Sequence, residues 1–210
     1  MVIDDFAGID TLISFGVGGN IDFEHEMTMR GINRVIMLDH TIEQLPREHP
    51  YFTWHKKAIG NTDSDTMFSV KGLLEHHQLQ AHPNLFLKCD VEDSEWDVIE
   101  STPTEIWKQF AQIVIEFHYF EWMTDPARLE RMQAAWTKLA ETHACVHVHG
   151  NNYGPLQLVN GISLPQCLEI TYLRRDRAPL APSWEIFPAN VDTPNWNARE
   201  DYFLGSFRFF

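Results

Sequence analysis

Basic residues are scarce: 16 Lys and Arg stand against 30 Asp and Glu, a formal charge of -14 over 210 residues. A chain this acidic lacks the basic face that displaces counterions from a nucleic-acid backbone, which excludes that class of partner. The one basic cluster, Arg174, Arg175 and Arg177, follows an apolar run and reads as a solvated strand end. Cysteine is scarce too. Cys89, Cys145 and Cys167 are odd in number and each sits in an apolar stretch. No two are spaced as a metal-binding pair, so they read as buried free thiols in a reducing compartment. No apolar run approaches the ~20 residues that span a membrane. The start, Met1-Val2-Ile3-Asp4-Asp5, has acids where a secretory signal needs positive charge. No membrane partner and a cytoplasmic location are the expectation. Repeats, low-complexity segments and a domain linker are also lacking, so residues 1–210 read as one domain, with a core over about 12–175.

What is present is a regular alternation of apolar runs and helical patterns. Leu12 to Phe15 reads as a first strand, and a helix over about 22–30 follows, with Asp22 as its N-cap and Gly31 as its stop. Arg34 to Leu38 is a continuous apolar run that suits a strand buried on both faces. Phe52 to Ile59 is a third strand, residues 64–79 a helix weakened by Gly72, and Asn84 to Cys89 a fourth strand. Ser94 caps a short helix, and Thr102-Pro103-Thr104-Glu105 is a capping box opening a helix that carries Ile106, Trp107 and Phe110. Gln112 to Phe117 is the fifth strand. Asp125-Pro126 opens the best helix, with Leu129, Met132, Trp136 and Leu139 on its core face. Ala144 to Val148 is the sixth strand. Cys167 to Leu173 is the seventh, too close behind for a full helical crossover and therefore antiparallel. From 178 to 210 the chain is an irregular tail rich in proline, asparagine and aromatics. The whole predicts an α/β fold: a doubly wound, mostly parallel seven-stranded sheet with helices on both faces and the last strand antiparallel.

Ligands of such sheets bind beyond the carboxyl ends of the strands. Gly16, Gly18, Gly19, Asn20, Asp39, Asp90, Glu116, His118 and His149 all fall there. A glycine turn lets backbone amides approach a ligand, and Asp39, twenty residues after Gly19, is placed to accept the hydroxyls of a ribose; it equally suits a cap on the turn before Thr41. A dinucleotide fingerprint needs glycine at position 21, where Ile21 stands, which disfavours a nucleotide-dependent oxidoreductase and favours a smaller nucleoside ligand such as S-adenosylmethionine.

Leu87-Lys88-Cys89-Asp90-Val91-Glu92-Asp93-Ser94-Glu95-Trp96-Asp97 resembles the LKxDxEGxEW signature of FkbM-type S-adenosylmethionine-dependent methyltransferases, with Asp93 where glycine is usual. Ile113 to His118 is similar to that family's next strand, which ends in Glu-x-His. Ile13 to Asn20 and Leu38-Asp39 match its cofactor positions, and Phe187-Pro188 with Asp192-Thr193-Pro194-Asn195 resembles the end of related methyltransferase-like domains. The resemblance covers about residues 12–200 and implies a class I methyltransferase fold and O-methylation of a small, sugar-like or polyol acceptor. Ser14 stands where many such enzymes carry an acid before the glycines. On this reading Asp90 contacts the acceptor and His118 or His149 is the base.

Two further readings stay open. Asp90, Glu116 and His118, with His149 as a further candidate, offer a ligand set for a divalent metal; the same side chains equally suit bonds to neighbouring turns and to each other. The second is a fold kept without catalysis, as a binding or assembly module whose aromatic end, Tyr202 to Phe210, packs on its own domain, in a homodimer or on a partner.

Overall fold

In the computed structural model, which describes residues 2–206, seven strands form one sheet in the order β3-β2-β1-β6-β7-β11-β8. The central four are β1 (Thr11–Phe15), β2 (Arg34–Leu38), β6 (Leu85–Cys89) and β7 (Phe110–Phe117). β3 (Phe52–His55) lies beyond β2 at one edge, and β8 (His143–Gly150) forms the other. β11 (Leu168–Arg174) runs antiparallel between β7 and β8, and every other pairing in the sheet's parallel half is parallel. Leu12, Ile13, Phe15, Val35, Ile36 and Leu38 are all buried, as a strand covered on both faces requires.

The two faces are covered unequally. α2 (Val70–His76), α3 (Glu95–Ser101), α4 (Thr104–Trp107) and α5 (Pro126–Ala140) bury Leu73, Trp96, Ile99, Trp107, Met132 and Leu139 against one face. α1 (Asp22–Met29) covers the other with Met27, joined by Phe6 and Ile9 of the N-terminal segment. Burying apolar area on both faces at about 25 cal/mol per Å² is what holds such a sandwich together.

Several elements depart from the sequence expectation. Ile21, not Asp22, caps α1; the Asn20 side chain accepts from the Asp22 amide at 2.8 Å, while Asp22 itself pairs with Arg47 at 2.7 Å. The third strand stops at His55. Ala58–Gly60 (β4) leaves the main sheet to pair in parallel with Met67–Ser69 (β5), which takes the start of the expected helix and confines α2 to seven residues. Asp63 makes this possible by accepting the Ser69 amide at 2.8 Å and its hydroxyl at 2.9 Å, while Ser69 caps α2. The expected capping box does not form: Pro103 is the N-cap, without a side-chain bond, and Phe110 opens β7. Ser94 also caps α3 without a side-chain bond. An additional hairpin, β9 (Leu156–Val159) and β10 (Ile162–Pro165), turns on Asn160 and Gly161, both at positive φ.

The arginine cluster is not merely a solvated end. Arg174 donates to the Pro83 and Lys108 carbonyls at 2.7 and 2.9 Å, and Arg177 clasps Asp5 at 2.7 Å and the Ala7 carbonyl at 3.0 Å. The cysteines are unpaired; Cys89 is buried, and Cys145 and Cys167 are only partly so. Among the described residues no helix is long and apolar enough to cross a membrane.

Candidate active site

Parallel register brings the strand ends together: Phe15 pairs with Leu38 and with Cys89, and Cys89 with Ile115. The residues just beyond these ends, Gly16, Asp39, Asp90, Glu116 and His118, therefore share one edge of the sheet. β8 runs parallel to β7 through β11, which places His149 opposite Glu169 and Glu169 opposite Glu116.

The glycine turn is built tightly on one side and open on the other. Gly16 has φ +70°, and a Cβ there would lie 1.6 Å from the Asp90 carbonyl oxygen, so only glycine fits. Gly18 and Gly19 face open space, with nothing within 4 Å of a Cβ at either. The side chain of Lys88 donates to the Gly16 carbonyl and pins the turn from the neighbouring strand.

Asp39 closes the turn. One oxygen accepts the Val17 and Gly18 amides at 3.1 and 2.8 Å, and the other accepts the Thr41 amide and hydroxyl, both at 2.7 Å. Burial works to raise its pKa, but the bonds from Thr41, Gly18 and Val17 outweigh it and hold the carboxyl below its usual range. A carboxylate has about four acceptor positions, so the protein itself occupies this one. Of the two parts the sequence offers Asp39, the turn cap is the one seen.

Behind the turn, Ser14 is fully buried and donates to Glu24 at 2.6 Å. α1 thus brings a carboxylate against position 14, and the second oxygen of Glu24 is buried with no partner. Position 24 carries no sequence signal for this part beyond its helical spacing from the turn.

His118 is the centre of the acidic edge. Its ring is 4% exposed, and its Nδ1 lies 3.2 Å from Glu95, which also accepts the His118 amide at 2.7 Å. The Nε2 side faces Glu92 at 3.6 Å, Glu116 at 3.9 Å and Asp90 at 4.0 Å. Burial disfavours the imidazolium, but the Cys167 and Glu95 partners outweigh it and raise the pKa. Burial, with Asp90 and Glu169 close by, pushes Glu116 up to about 7. Asn151 donates to Glu116 at 2.6 Å. Glu92 and Glu95 both lie inside the motif that carries the family resemblance, yet their acidic side chains alone did not single them out.

His149 is used differently. Its two ring nitrogens are each 2.9 Å from a carboxylate, Glu169 on one side and Asp201 on the other, and the ring is buried under the C-terminal tail. It is a structural tie between sheet and tail and is not presented with Asp90 and His118. Asn20 likewise acts on α1 as described.

No family model matches the chain, and no curated protein sequence matches it. Solved structures do resemble it in the course of the chain. The N-methyltransferase NodS from Bradyrhizobium japonicum WM9 shares 12% identity over 79% of this chain and 85% of its own, with a TM-score of 0.42. Its complex with S-adenosyl-L-homocysteine gives a TM-score of 0.41 at 12% identity, over 79% of this chain and 78% of that one. An S-adenosylmethionine-dependent methyltransferase from Mesorhizobium loti shares 9% identity over 78% of this chain and 90% of its own, with a TM-score of 0.44.

Proposed function

We propose that this chain is an S-adenosylmethionine-dependent methyltransferase that modifies a hydroxyl on a small, polar, sugar-like acceptor. One observation carries the reading: the open Gly18-Gly19 turn and the acids of Asp90, Glu92 and Glu116 meet at one carboxyl edge of the sheet. A nucleoside fits beside bare glycines, and a sulfonium cation suits a carboxylate-lined edge. The FkbM-like motif supplies the reaction class and the hydroxyl acceptor. When bound, S-adenosylmethionine supplies an electrophilic methyl group.

The chain's own residues have separate parts in this reading. Asp39 fixes the glycine turn, and ribose hydroxyls would take the places now held by Thr41 on its outer oxygen. Asp90, half-buried beside the turn, orients the acceptor. His118, with Nδ1 on Glu95, is held in one orientation at the methyl end. Alignment of this kind accounts for much of the barrier lowered in a displacement on carbon.

Calorimetry with S-adenosylhomocysteine tests the cofactor. The folded protein is expected to bind it, and Asp39→Ala to weaken binding at least tenfold. No binding by the folded wild type would overturn the reading. A specific observation favours a second one: all four acceptor positions of Asp39 are filled by the protein, as suits a methyltransferase fold kept as a binding module without cofactor. The same titration separates the two.

A further inference from the structure

Two clusters of metal-ligating side chains lie within the described residues, and they differ in how their protons are placed. The first joins His55, His76 and His77 at the end of β3 and the end of α2. Arg34, which can only donate, gives a hydrogen bond to His77 Nδ1 at 3.3 Å. His77 therefore carries its proton on Nε2 and donates it to His55 Nε2 at 2.8 Å. This set is closed by its own hydrogen bonds.

The second is the group around His118, and it is arranged the other way. Glu95, fully buried, stands behind the ring at Nδ1 and fixes the proton there. Nε2 then faces Asp90, Glu92 and Glu116, at 3.6–4.0 Å from one oxygen of each, and a bound cation would take the place of a proton on it. Those separations are too long for hydrogen bonds. Two ligands bonded at about 2.0–2.2 Å to one ion stand roughly 3–4 Å apart, which is the spacing seen. Asp90, Glu92 and His118 form one triad within ligand reach, and Glu116, His118 and Cys167 another, with the buried imidazole common to both. Lys88 stands 3.6 Å from the far oxygen of Asp90 and leaves the near one facing the ring. A carboxylate behind a histidine whose other nitrogen faces further ligands is the arrangement that orients a metal-binding imidazole.

We propose that His118, Asp90 and Glu92 bind one divalent cation of the manganese–zinc class, with Glu95 as the positioning residue behind the imidazole. Carboxylate oxygens with one imidazole suit that class better than a purely soft or purely hard ion. Binding is a property of these side chains and stands whether or not the chain transfers methyl groups. A use for the ion, polarising an acceptor hydroxyl, does rest on the methyltransferase reading.

The test uses the full chain, stripped with EDTA and dialysed, titrated with manganese chloride and separately with zinc chloride. Calorimetry reads stoichiometry, and electron paramagnetic resonance reads the loss of free manganese. One ion per chain is expected, weakened about tenfold or more by His118→Ala and by Glu92→Gln. Glu92 is 78% exposed, so its substitution leaves the fold intact even if the buried His118 change does not. His77→Ala is expected to leave binding unchanged. Absence of saturable binding to either ion, affinity unmoved by Glu92→Gln, or loss on His77→Ala would each overturn the proposal. S-adenosylhomocysteine is omitted throughout, so failure here is distinct from failure of the cofactor titration.

Discussion

Two glycines of one turn make opposite demands. Gly16 is held at φ +70° with its α-carbon hydrogen packed toward the Asp90 carbonyl, whereas Gly19 borders open space at an ordinary φ. Alanine at position 16 costs about 1–2 kcal/mol for the left-handed backbone alone, and its Cβ collides with backbone that cannot rotate aside. Gly16→Ala is therefore expected to lower the melting temperature and to disturb both β1 and the Asp90 loop. Gly19→Ala is expected to melt within a degree or two of the wild type, and yet to bind S-adenosylhomocysteine more weakly, because the added methyl group enters the space a nucleoside would use. Thermal denaturation beside calorimetry separates the two effects. Equal destabilisation by both substitutions would mean that the open side of the turn is not open in solution.

At the level of elements, periodicity identified what burial dictates. Arg34 to Leu38 and Asn84 to Cys89 read as buried strands because nothing but apolar packing sets them, and Asp125-Pro126 marks a helix start whose carboxylate does accept the Arg128 amide at 3.0 Å. The expectation failed where a distant partner decides. Met67 to Ser69 is a strand because Ala58 to Gly60 pairs with it, and no local pattern states that. The Asn160-Gly161 hairpin has a local signature, since that dipeptide between apolar residues is a turn signal. Of the site, the strand-end positions were legible and the partners were not: Asp39 to Thr41, Glu24 to Ser14 and Glu95 to His118 are matters of three-dimensional approach. The β8–β11 pair carries a testable consequence. His149 is raised to about 9, burial being outweighed by Glu169 and Asp201. A pKa raised on folding contributes stability in full below the unfolded value, about 6.5, and that contribution is lost as pH rises through about 9. Melting curves are expected to fall between pH 7 and 10, and to fall less steeply in Asp201→Asn. An unchanged slope in that variant would show that the imidazolium is not held by the tail.

Across the whole molecule, the C-terminal tail lies against β8 and β11. His147 meets Asp192 at 2.7 Å, Asn195 donates to Glu169 at 2.6 Å, and Phe187 packs edge-on against His147. Asn152, fully buried, is the anchor: its amide donates to the carbonyls of Trp196, Arg199 and Glu200 at 3.1–3.4 Å, and its oxygen accepts the Trp196 amide at 2.7 Å. One side chain thus gathers four backbone groups of a segment without regular secondary structure, its two amide hydrogens shared among three carbonyls. Asn152→Ala removes these bonds and leaves the buried end of the tail's anchor unfilled, while the Trp196 carbonyl keeps the Arg199 amide at 3.1 Å. The tail is held mainly by polar bonds, with Phe187 and Leu204 its apolar contacts, whereas the strands bury apolar surface on both sides. Hydrogen exchange is therefore expected to quicken over residues 187–206 in Asn152→Ala, while the amides of β1, β2 and β6 keep their protection. If exchange instead quickens evenly across all three strands, the tail is part of the cooperative core, and the sheet cannot persist without it.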